Sequence, residues 1–232
     1  MATRVGCCGF PVAREDYFRH FKVVEIQSIF YNLPRMKTVE RWRRDAPENF
    51  EFVIKASQFI THQPSSPTYR RSKIPNWVQK EDLGAFQWNQ STQMIWQYIR
   101  DIVRTLRGRM VIFQSPKSFT PEPKHIKNFK RFFNEIDRSG LILGWESRCP
   151  WPHLNQILSE LEIIDVVDPF ERDPVSGQIG YYRIHGGQSY RKKFSDTDLT
   201  LLAKRIKRIS YVMFNNITMF DDASRFLKLI ER

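Results

Sequence analysis

The sequence predicts a single (β/α)8 barrel spanning residues 1–232. Short apolar runs recur at nearly regular spacing, and helical patterns lie between most of them. This alternation is typical of parallel strands joined by helical crossovers. Eight strands in a chain of 232 residues favour closure into a barrel over an open sheet. The predicted strands are residues 4–8, 23–28, 50–56, 110–115, 141–147, 163–168, 181–185 and 211–215.

Helix-start signals support the helices between these strands. Side chains that can cap a helix N-terminus, and prolines that suit a first turn, stand before most of the helical patterns. The residues expected to cap or open a helix are Thr38, Ser91, Pro121, Pro152, Asp196 and Asp221. The predicted helices are residues 39–45, 92–107, 124–138, 153–160, 197–207 and 222–231.

One connection, residues 57–90, is much longer than the others and contains Pro64, Pro67 and Pro75. A loop of this length in a compact domain is usually functional or mobile. Because it follows the C-terminal end of the third strand, we expect it to lie over the barrel mouth. We interpret it as a lid or a substrate-binding excursion, partly helical within residues 77–86. The alternative is an insertion without a functional role.

The charge of the chain is strongly positive, with 37 basic and 25 acidic residues and a formal net charge of +12. Basic residues cluster at positions 41–44, 70–73, 124–131, 191–193 and 204–208. Such clusters predict a polyanionic partner, with nucleic acid as one possibility. The alternative is that the clusters are solvated helix faces.

The cysteine count and the N-terminus indicate a cytoplasmic protein that is not bound to a membrane. Cys7 and Cys8 are adjacent and Cys149 is distant, so neither a disulfide framework nor a Cys-rich metal site is supported. We expect Cys7 or Cys8 to point into the barrel as a small buried residue. No apolar run approaches the roughly 18 residues that span a bilayer, and no signal-peptide layout is visible. The sequence leaves the oligomeric state open.

Strand parity predicts a ring of polar side chains at one end of the barrel. Side chains on a strand alternate between the barrel interior and the helix layer. The polar residues predicted to face inward are Glu25, Gln27, Lys55, Gln114, Glu146, Asp168, Arg183, His185 and Asn215. Most lie at the C-terminal ends of their strands, where active sites of this fold occur. Because unpaired buried charges are costly, we expect the carboxylates of this ring to pair with Lys55, Arg148 and Arg183.

Several motifs spread along the chain carry a family resemblance. They are GCCGF at 6–10, VEIQSIFY at 24–31, TVERW at 38–42, FVIKA at 52–56, ITH at 60–62, FQSP at 113–116, YRIHG at 182–186 and FNN at 214–216. Together they resemble the domain of unknown function 72 family, the YecE-like proteins, and the resemblance implies a TIM-like barrel. The chain departs from that family at Gln27 (usually Asn), Ser115 (usually Leu) and Ser147 (usually aromatic), so the pocket wall is expected to differ.

The first functional hypothesis is a phosphoester or nucleic-acid hydrolase, similar in barrel type to endonuclease IV. Lys55 and Arg183 would stabilise developing charge, and the turn Gly186-Gly187 lies where such barrels often bind phosphate. Phe30, Tyr31 and Trp88 would be exposed to stack on nucleic acid. The side chains that could bind a divalent metal are Glu25, His62, Glu146, Asp168 and His185.

The second hypothesis is a metal-free acid–base enzyme, an isomerase or lyase acting on a small carbohydrate or phosphosugar. Glu25 or Glu146 would be the base, and Lys55 or His185 the acid or electrophile. The third is a non-enzymatic nucleic-acid-binding or scaffold protein whose polar ring is an ion-pair network. The tryptophans Trp42, Trp77 and Trp96 are expected to be packing groups.

The site prediction therefore comprises two sets of residues. The predicted catalytic residues are Glu25, Lys55, Glu146, Arg183 and His185. The predicted substrate-binding residues are Gln27, Tyr31, His62, Gln114, Arg148, Gly186, Gly187, Asn215 and Asn216.

Overall fold

Eight parallel strands form a closed barrel in the computed structural model, which describes residues 3–187, 189–207 and 209–231. Each strand pairs with the next along the chain, and the last pairs with the first. This confirms the predicted (β/α)8 barrel, and every strand lies within about two residues of its predicted position. The strands are β1 (Arg4–Cys8), β2 (Val23–Ile26), β3 (Glu51–Lys55), β4 (Met110–Gln114), β5 (Ile142–Glu146), β6 (Ile164–Val167), β7 (Gly180–Ile184) and β8 (Ser210–Phe214).

Helices lie in every connection between the strands except the one from β6 to β7, residues 168–179, where the structure describes none. Three of them, α1, α2 and α4, were not among the predicted helices. α2 and α4 are single turns of four residues, too short to show a helical period, and Ser28 begins α2 where the sequence predicted the end of β2. The helices are α1 (Arg14–His20), α2 (Ser28–Tyr31), α3 (Met36–Asp45), α4 (Gln58–Thr61), α5 (Gln90–Leu106), α6 (Pro123–Glu135), α7 (Leu154–Glu160), α8 (Asp196–Arg205) and α9 (Met219–Ile230). In the described part of the chain, no helix combines the length and the apolar character needed to cross a bilayer.

The predicted caps are wrong by a few residues at four helices. α3 and α9 begin earlier than expected, so Thr38 and Asp221 lie inside their first turns. Asn89, not Ser91, caps α5. Ser195, not Asp196, caps α8. In both capped helices the capping side chain accepts a backbone N–H three residues on, because the cap is the last residue with extended backbone angles.

The apolar residues separate into two layers, as strand parity predicted. One cluster lies between the strands and the helices and contains the side chains predicted to face outward, such as Val24, Phe113 and Trp145. A second cluster fills the barrel interior below the polar ring. Cys8 belongs to the interior cluster and Cys7 to the outer one. Both are free thiols, and burial raises the pKa of Cys7 to about 12.

The long connection between β3 and α5 contains α4 and two 3₁₀ turns, Pro67–Arg71 and Lys80–Asp82. Its two ends are joined, because the Gly84 and Phe86 N–H groups donate to the Phe59 and Ile60 carbonyls at 2.8 and 2.9 Å. The Phe86 side chain is buried among the phenylalanines of the outer cluster. A lid role for this connection stays a prediction. Within it, Trp77 packs against Tyr98 with ring centres 6.1 Å apart, although 38% of its surface stays exposed.

Candidate functional site

The inward-facing polar side chains converge around Arg183 on β7. This guanidinium is fully buried at the C-terminal end of the barrel. Its Nη2 lies 3.2 Å from Glu25 Oε1, and its Nη1 donates to Glu146 Oε2. Its Nε has no hydrogen-bond partner in the described part of the chain. Arg183 therefore joins the carboxylates of β2 and β5 across the barrel, as the sequence predicted.

The Glu25 carboxylate is saturated by three neighbours. Besides Arg183, it accepts hydrogen bonds from Gln27 Nε2 and from the Tyr181 hydroxyl, the latter at 2.7 Å. Tyr181 was not among the predicted site residues. Strand parity could have found it, since residue 181 shares its strand face with Arg183 and His185. Because Glu25 is fully buried and its oxygens are already bound, it is a structural anchor of the network.

The Glu146 carboxylate is also fully used. It accepts from Arg183, from Arg148 Nε at 2.9 Å, and it lies 3.0 Å from His185 Nε2. Burial alone would raise its pKa, but Arg183, His185 and Arg148 outweigh that effect and hold the pKa of Glu146 well below its usual value. The carboxylate thus stays ionised and acts as an anchor, which argues against the predicted role of general base.

His185 is positioned by its neighbours on three sides. Its backbone N–H donates to Asp168 Oδ2 at 2.9 Å, its Nδ1 lies 3.2 Å from Asn215 Nδ2, and the Tyr190 ring stands edge-on at 5.3 Å. Asp168 also accepts the Phe170 N–H at 3.0 Å, so both of its oxygens bind backbone. The predicted pairing of Asp168 with a cation is therefore wrong; this carboxylate shapes the loop after β6.

Lys55 has no carboxylate partner among the residues that the structure describes. Its Nζ donates to Gln114 Oε1 at 2.8 Å and lies 4.0 Å from the centre of the Phe30 ring. The predicted ion pair of Lys55 is wrong, because the two nearby carboxylates, Glu25 and Glu146, are paired with Arg183. Burial, reinforced by the positive charge of Arg183, lowers the pKa of Lys55 to about 7, although Glu25 and Glu146 partly oppose the shift.

His62 stands on the same aromatic ring as Lys55. Its imidazole packs edge-on against Phe30 at 5.1 Å, and its Nδ1 lies 2.8 Å from the Thr61 hydroxyl. Burial, together with the charges of Lys55 and Arg148, lowers the pKa of His62 to about 3. His62 is therefore a neutral imidazole at physiological pH. Phe30 is itself buried, so the predicted exposed stacking role is wrong for it.

A cavity of about 960 Å³ lies at the C-terminal mouth of the barrel, next to the ionic network. Several predicted site residues line it, and they are His62, Gln114, Glu146, Arg148, Asp168, His185 and Gly187. It extends beyond the predicted set over the ends of β4, β5 and β6, where its walls include Ser115, Lys117, Cys149, Trp151, Arg172 and Tyr190. Strand parity could not predict most of these residues, because they lie on loops after the strands.

Four predicted binding residues play other parts. Tyr31 lies beside Arg71, outside the cavity wall. Gln27 is occupied by Glu25. Gly186 packs against Asn216 and Lys192 in a left-handed conformation, with φ of 71°, that suits glycine. Asn216 donates to the Lys192 carbonyl and to Asp222 Oδ2 at 2.8 and 2.7 Å, so it ties the loop after β7 to α9.

The predicted metal candidates do not form a ligand set. Among residues 3–187, 189–207 and 209–231, no three His, Cys, Asp or Glu side chains are arranged to hold an ion. The cause is visible in the hydrogen bonds: Arg183, Tyr181 and His185 already occupy the carboxylate oxygens that a metal would need. The polar side chains at the barrel mouth are therefore arranged as an ionic network and not as the ligands of a metal ion.

The fold and the site define a TIM-barrel protein with a buried ionic network at the C-terminal mouth of the barrel. The family model described as "Protein of unknown function DUF72" matches residues 13–232. The chain therefore belongs to the DUF72 family, as the sequence motifs implied.

Three relatives illustrate the similarity. The UPF0759 protein YunF of Bacillus subtilis is 26% identical over 48% of this chain and 34% of its own length. The UPF0759 protein YecE of Escherichia coli K12 is 41% identical over 21% of this chain and 18% of its own length. The aligned regions thus span about a third or less of these curated relatives. The crystal structure of a DUF72 family protein from Enterococcus faecalis V583 superposes with a TM-score of 0.73 at 18% identity, covering 100% of this chain and 98% of that one.

Proposed function

We propose that this protein is an enzyme that moves protons between carbon atoms of a small carbohydrate or phosphosugar, without a metal ion. Lys55 is the proton carrier and His62 the hydrogen-bond donor to the substrate. The observation that carries the proposal is the buried Lys55 amine, which forms no salt bridge among the described residues; its Nζ donates to Gln114 and lies over the Phe30 ring. Gln114 and His62 line the cavity, and Lys55 lies behind them.

A buried amine of this kind suits proton transfer at neutral pH. A general base works best when its pKa lies near the operating pH, and Lys55 has a pKa of about 7. The neutral His62 has a pKa of about 3. Burial lowers the pKa of both groups on the Phe30 ring, so near neutral pH the Lys55 amine can give up its proton while the His62 imidazole stays neutral. A base beside a neutral imidazole that polarises a carbonyl is a known division of roles in active sites.

The proposed reaction is an enolisation. The free amine of Lys55 takes the proton from the carbon next to the substrate carbonyl, and His62 donates from Nε2 to the carbonyl oxygen as negative charge develops there. In this reaction the Thr61 hydroxyl, 2.8 Å from Nδ1, donates to that nitrogen, which leaves the ring proton on Nε2. The Lys55 ammonium then returns the proton to the former carbonyl carbon. His62 gives its Nε2 proton to the oxygen on that carbon and takes one from the hydroxyl on the adjacent carbon, which becomes the new carbonyl, so the product is an isomer of the substrate.

The paired groups position this machinery. Gln114 lines the cavity and orients the Lys55 amine. Arg183 occupies both glutamates and so leaves Lys55 without a counter-ion. The metal-dependent hydrolase has weaker support, because a metal would have to displace Arg183 from Glu25 and Glu146. A purely structural network has weaker support too, because such a network gains nothing from an unpaired lysine.

The test is hydrogen exchange at carbon. The protein is incubated in D₂O with a panel of aldoses, ketoses and their phosphates, and NMR detects deuterium at the carbon next to the carbonyl. We expect the wild type to exchange at least one member of the panel and Lys55→Met to lower the rate by at least about 100-fold. Treatment with a chelator should leave the rate unchanged.

The matched control is Lys130→Met, which removes a lysine paired with Glu160 on the outer surface. Its rate should equal that of the wild type. If folded wild-type protein exchanges no member of the panel, or if Lys55→Met exchanges as fast as Lys130→Met, the proposal is wrong.

A further inference from the structure

The connections that follow β2 and β3 contain long stretches without an acidic residue. No Asp or Glu occurs from residue 26 to residue 39 or from residue 52 to residue 80, although the chain has 25 acidic residues in 232. The same two stretches are rich in basic residues at the surface: Arg35, Lys37, Arg70, Arg71, Lys73 and Lys80. No acidic residue within either stretch therefore balances these positive charges.

The two connections lie side by side in the structure. Asn32 Nδ2 donates to the Arg71 carbonyl at 3.0 Å, and Asn32 Oδ1 accepts the Lys73 N–H at 2.7 Å. The Arg71 guanidinium lies 5.8 Å from the Tyr31 ring. These contacts bring both connections into one surface, which we call the basic face and define as Tyr31, Arg35, Arg70, Arg71, Lys73 and Trp77.

The cations of the basic face are exposed and available to a ligand. Within the residues that the structure describes, Arg35, Arg70, Arg71 and Lys73 form no salt bridge, and all four are exposed. Elsewhere, Lys124, Lys127 and Arg131 of α6 are also exposed and form no salt bridge among the described residues, but other positive charges are used locally. Lys130 pairs with Glu160, Lys192 pairs with Asp198, and Arg43 donates to backbone carbonyls.

Aromatic side chains stand among these cations. Trp77 is 38% exposed and rests against Tyr98, with ring centres 6.1 Å apart; the Tyr98 hydroxyl in turn donates to the Pro34 carbonyl at 2.8 Å. Exposed aromatic rings between unpaired cations are the arrangement that stacks bases and holds phosphates at the same time. A base can stack on a side chain only if it is not already stacked in a duplex.

We propose that the basic face binds single-stranded nucleic acid, with phosphates on Arg70, Arg71 and Lys73 and a base on Trp77. Binding here is independent of the proposed enzymatic activity, since none of these residues lines the cavity. It is close to the site, because the Tyr69 hydroxyl beside Arg70 donates to the His62 carbonyl at 2.8 Å.

Fluorescence anisotropy with a labelled oligo-dT of about 16 nucleotides tests this proposal. The variant Arg70→Gln/Arg71→Gln/Lys73→Gln is compared with Lys124→Gln/Lys127→Gln/Arg131→Gln, which removes three exposed charges from α6 instead. We expect the first variant to bind at least about tenfold more weakly, and its salt dependence to be shallower by about 2, or about 0.7 for each lost phosphate contact. The α6 variant should bind like the wild type.

Three further probes identify the ligand. An oligo-U of the same length separates RNA from DNA, and the corresponding duplex should bind more weakly than either strand. Trp77→Ala should weaken oligo-dT binding about tenfold and leave heparin binding unchanged, because heparin has no base to stack.

Equal losses in the two triple variants would mean that only overall charge matters, and the proposal would be overturned. It would also be overturned if the wild type did not bind oligo-dT at about 50 mM salt, or if the duplex or heparin bound as tightly as the single strand.

Discussion

Arg183 and Lys55 are two buried cations at the same end of one barrel, yet their surroundings differ completely. Arg183 contacts two glutamates, whereas Lys55 contacts an amide oxygen and an aromatic ring. A paired cation stays charged and stabilises the carboxylates beside it. An unpaired one has a lowered pKa and can exchange its proton. One cluster therefore contains both the paired cation that fixes the carboxylates and the unpaired amine that we propose as the reactive group.

The largest expected effect tests the scaffold half of this comparison. Arg183→Met leaves Glu25 and Glu146 buried without their shared cation, so we expect the free energy of unfolding to fall by about 3–5 kcal/mol. Urea unfolding followed by circular dichroism measures it. A loss as small as that of an exposed substitution would show that the two glutamates find other partners.

The pH dependence of the exchange reaction tests the reactive half. Because the free amine is the base and the pKa of Lys55 is about 7, the rate should rise about tenfold per pH unit below pH 7 and level off above it. Rates measured from pH 5 to pH 9 give the profile. A rate that falls with rising pH would assign the reaction to a protonated group instead.

Lys55→Met should stabilise the protein at neutral pH, by about 2 kcal/mol, because it removes an unpaired buried amine. The sign follows from linkage: the pKa of Lys55 is lower in the folded state than its ordinary value of 10.5. The destabilisation by Lys55 is therefore complete below pH 7 and fades as the pH rises towards 10.5. Unfolding at pH 6 and pH 10 should show the stabilisation shrinking; an equal gain at both would contradict the lowered pKa.

The smallest expected effect concerns the hydroxyl below the network. Tyr181→Phe removes the 2.7 Å hydrogen bond to Glu25 and keeps the ring stacked on Tyr211. We expect a loss of about 1.5 kcal/mol, the range for a hydrogen bond to a charged group. Tyr182→Phe is the matched control on the opposite strand face, where the hydroxyl accepts a backbone N–H from Lys207. If Tyr182→Phe lowered the free energy of unfolding more than Tyr181→Phe, the hydrogen bond to the Glu25 carboxylate would not be the stronger of the two.

Much of the candidate site was predictable, and its limits have a physical cause. The inward positions of Glu25, Glu146 and Arg183 follow from strand parity, which is a local property. The partner of Lys55 was not predictable, because Arg183 binds one oxygen of each glutamate while Tyr181, His185 and Arg148 bind the others. The cavity wall from Ser115 to Tyr190 was missed for a different reason, since loops have no period that reveals which way a side chain points.

The amino-acid sequence by itself determined the eight strands, their order, their inward and outward faces and the end of the barrel where the polar residues gather. These features depend on side-chain alternation and on short crossovers, which act between near neighbours in the chain. Only the tertiary structure decided which charges pair across the barrel, which amine stays unpaired and which acid-free loops share one surface. Those outcomes depend on distances between strands and loops far apart in sequence, and such distances exist only once the barrel closes.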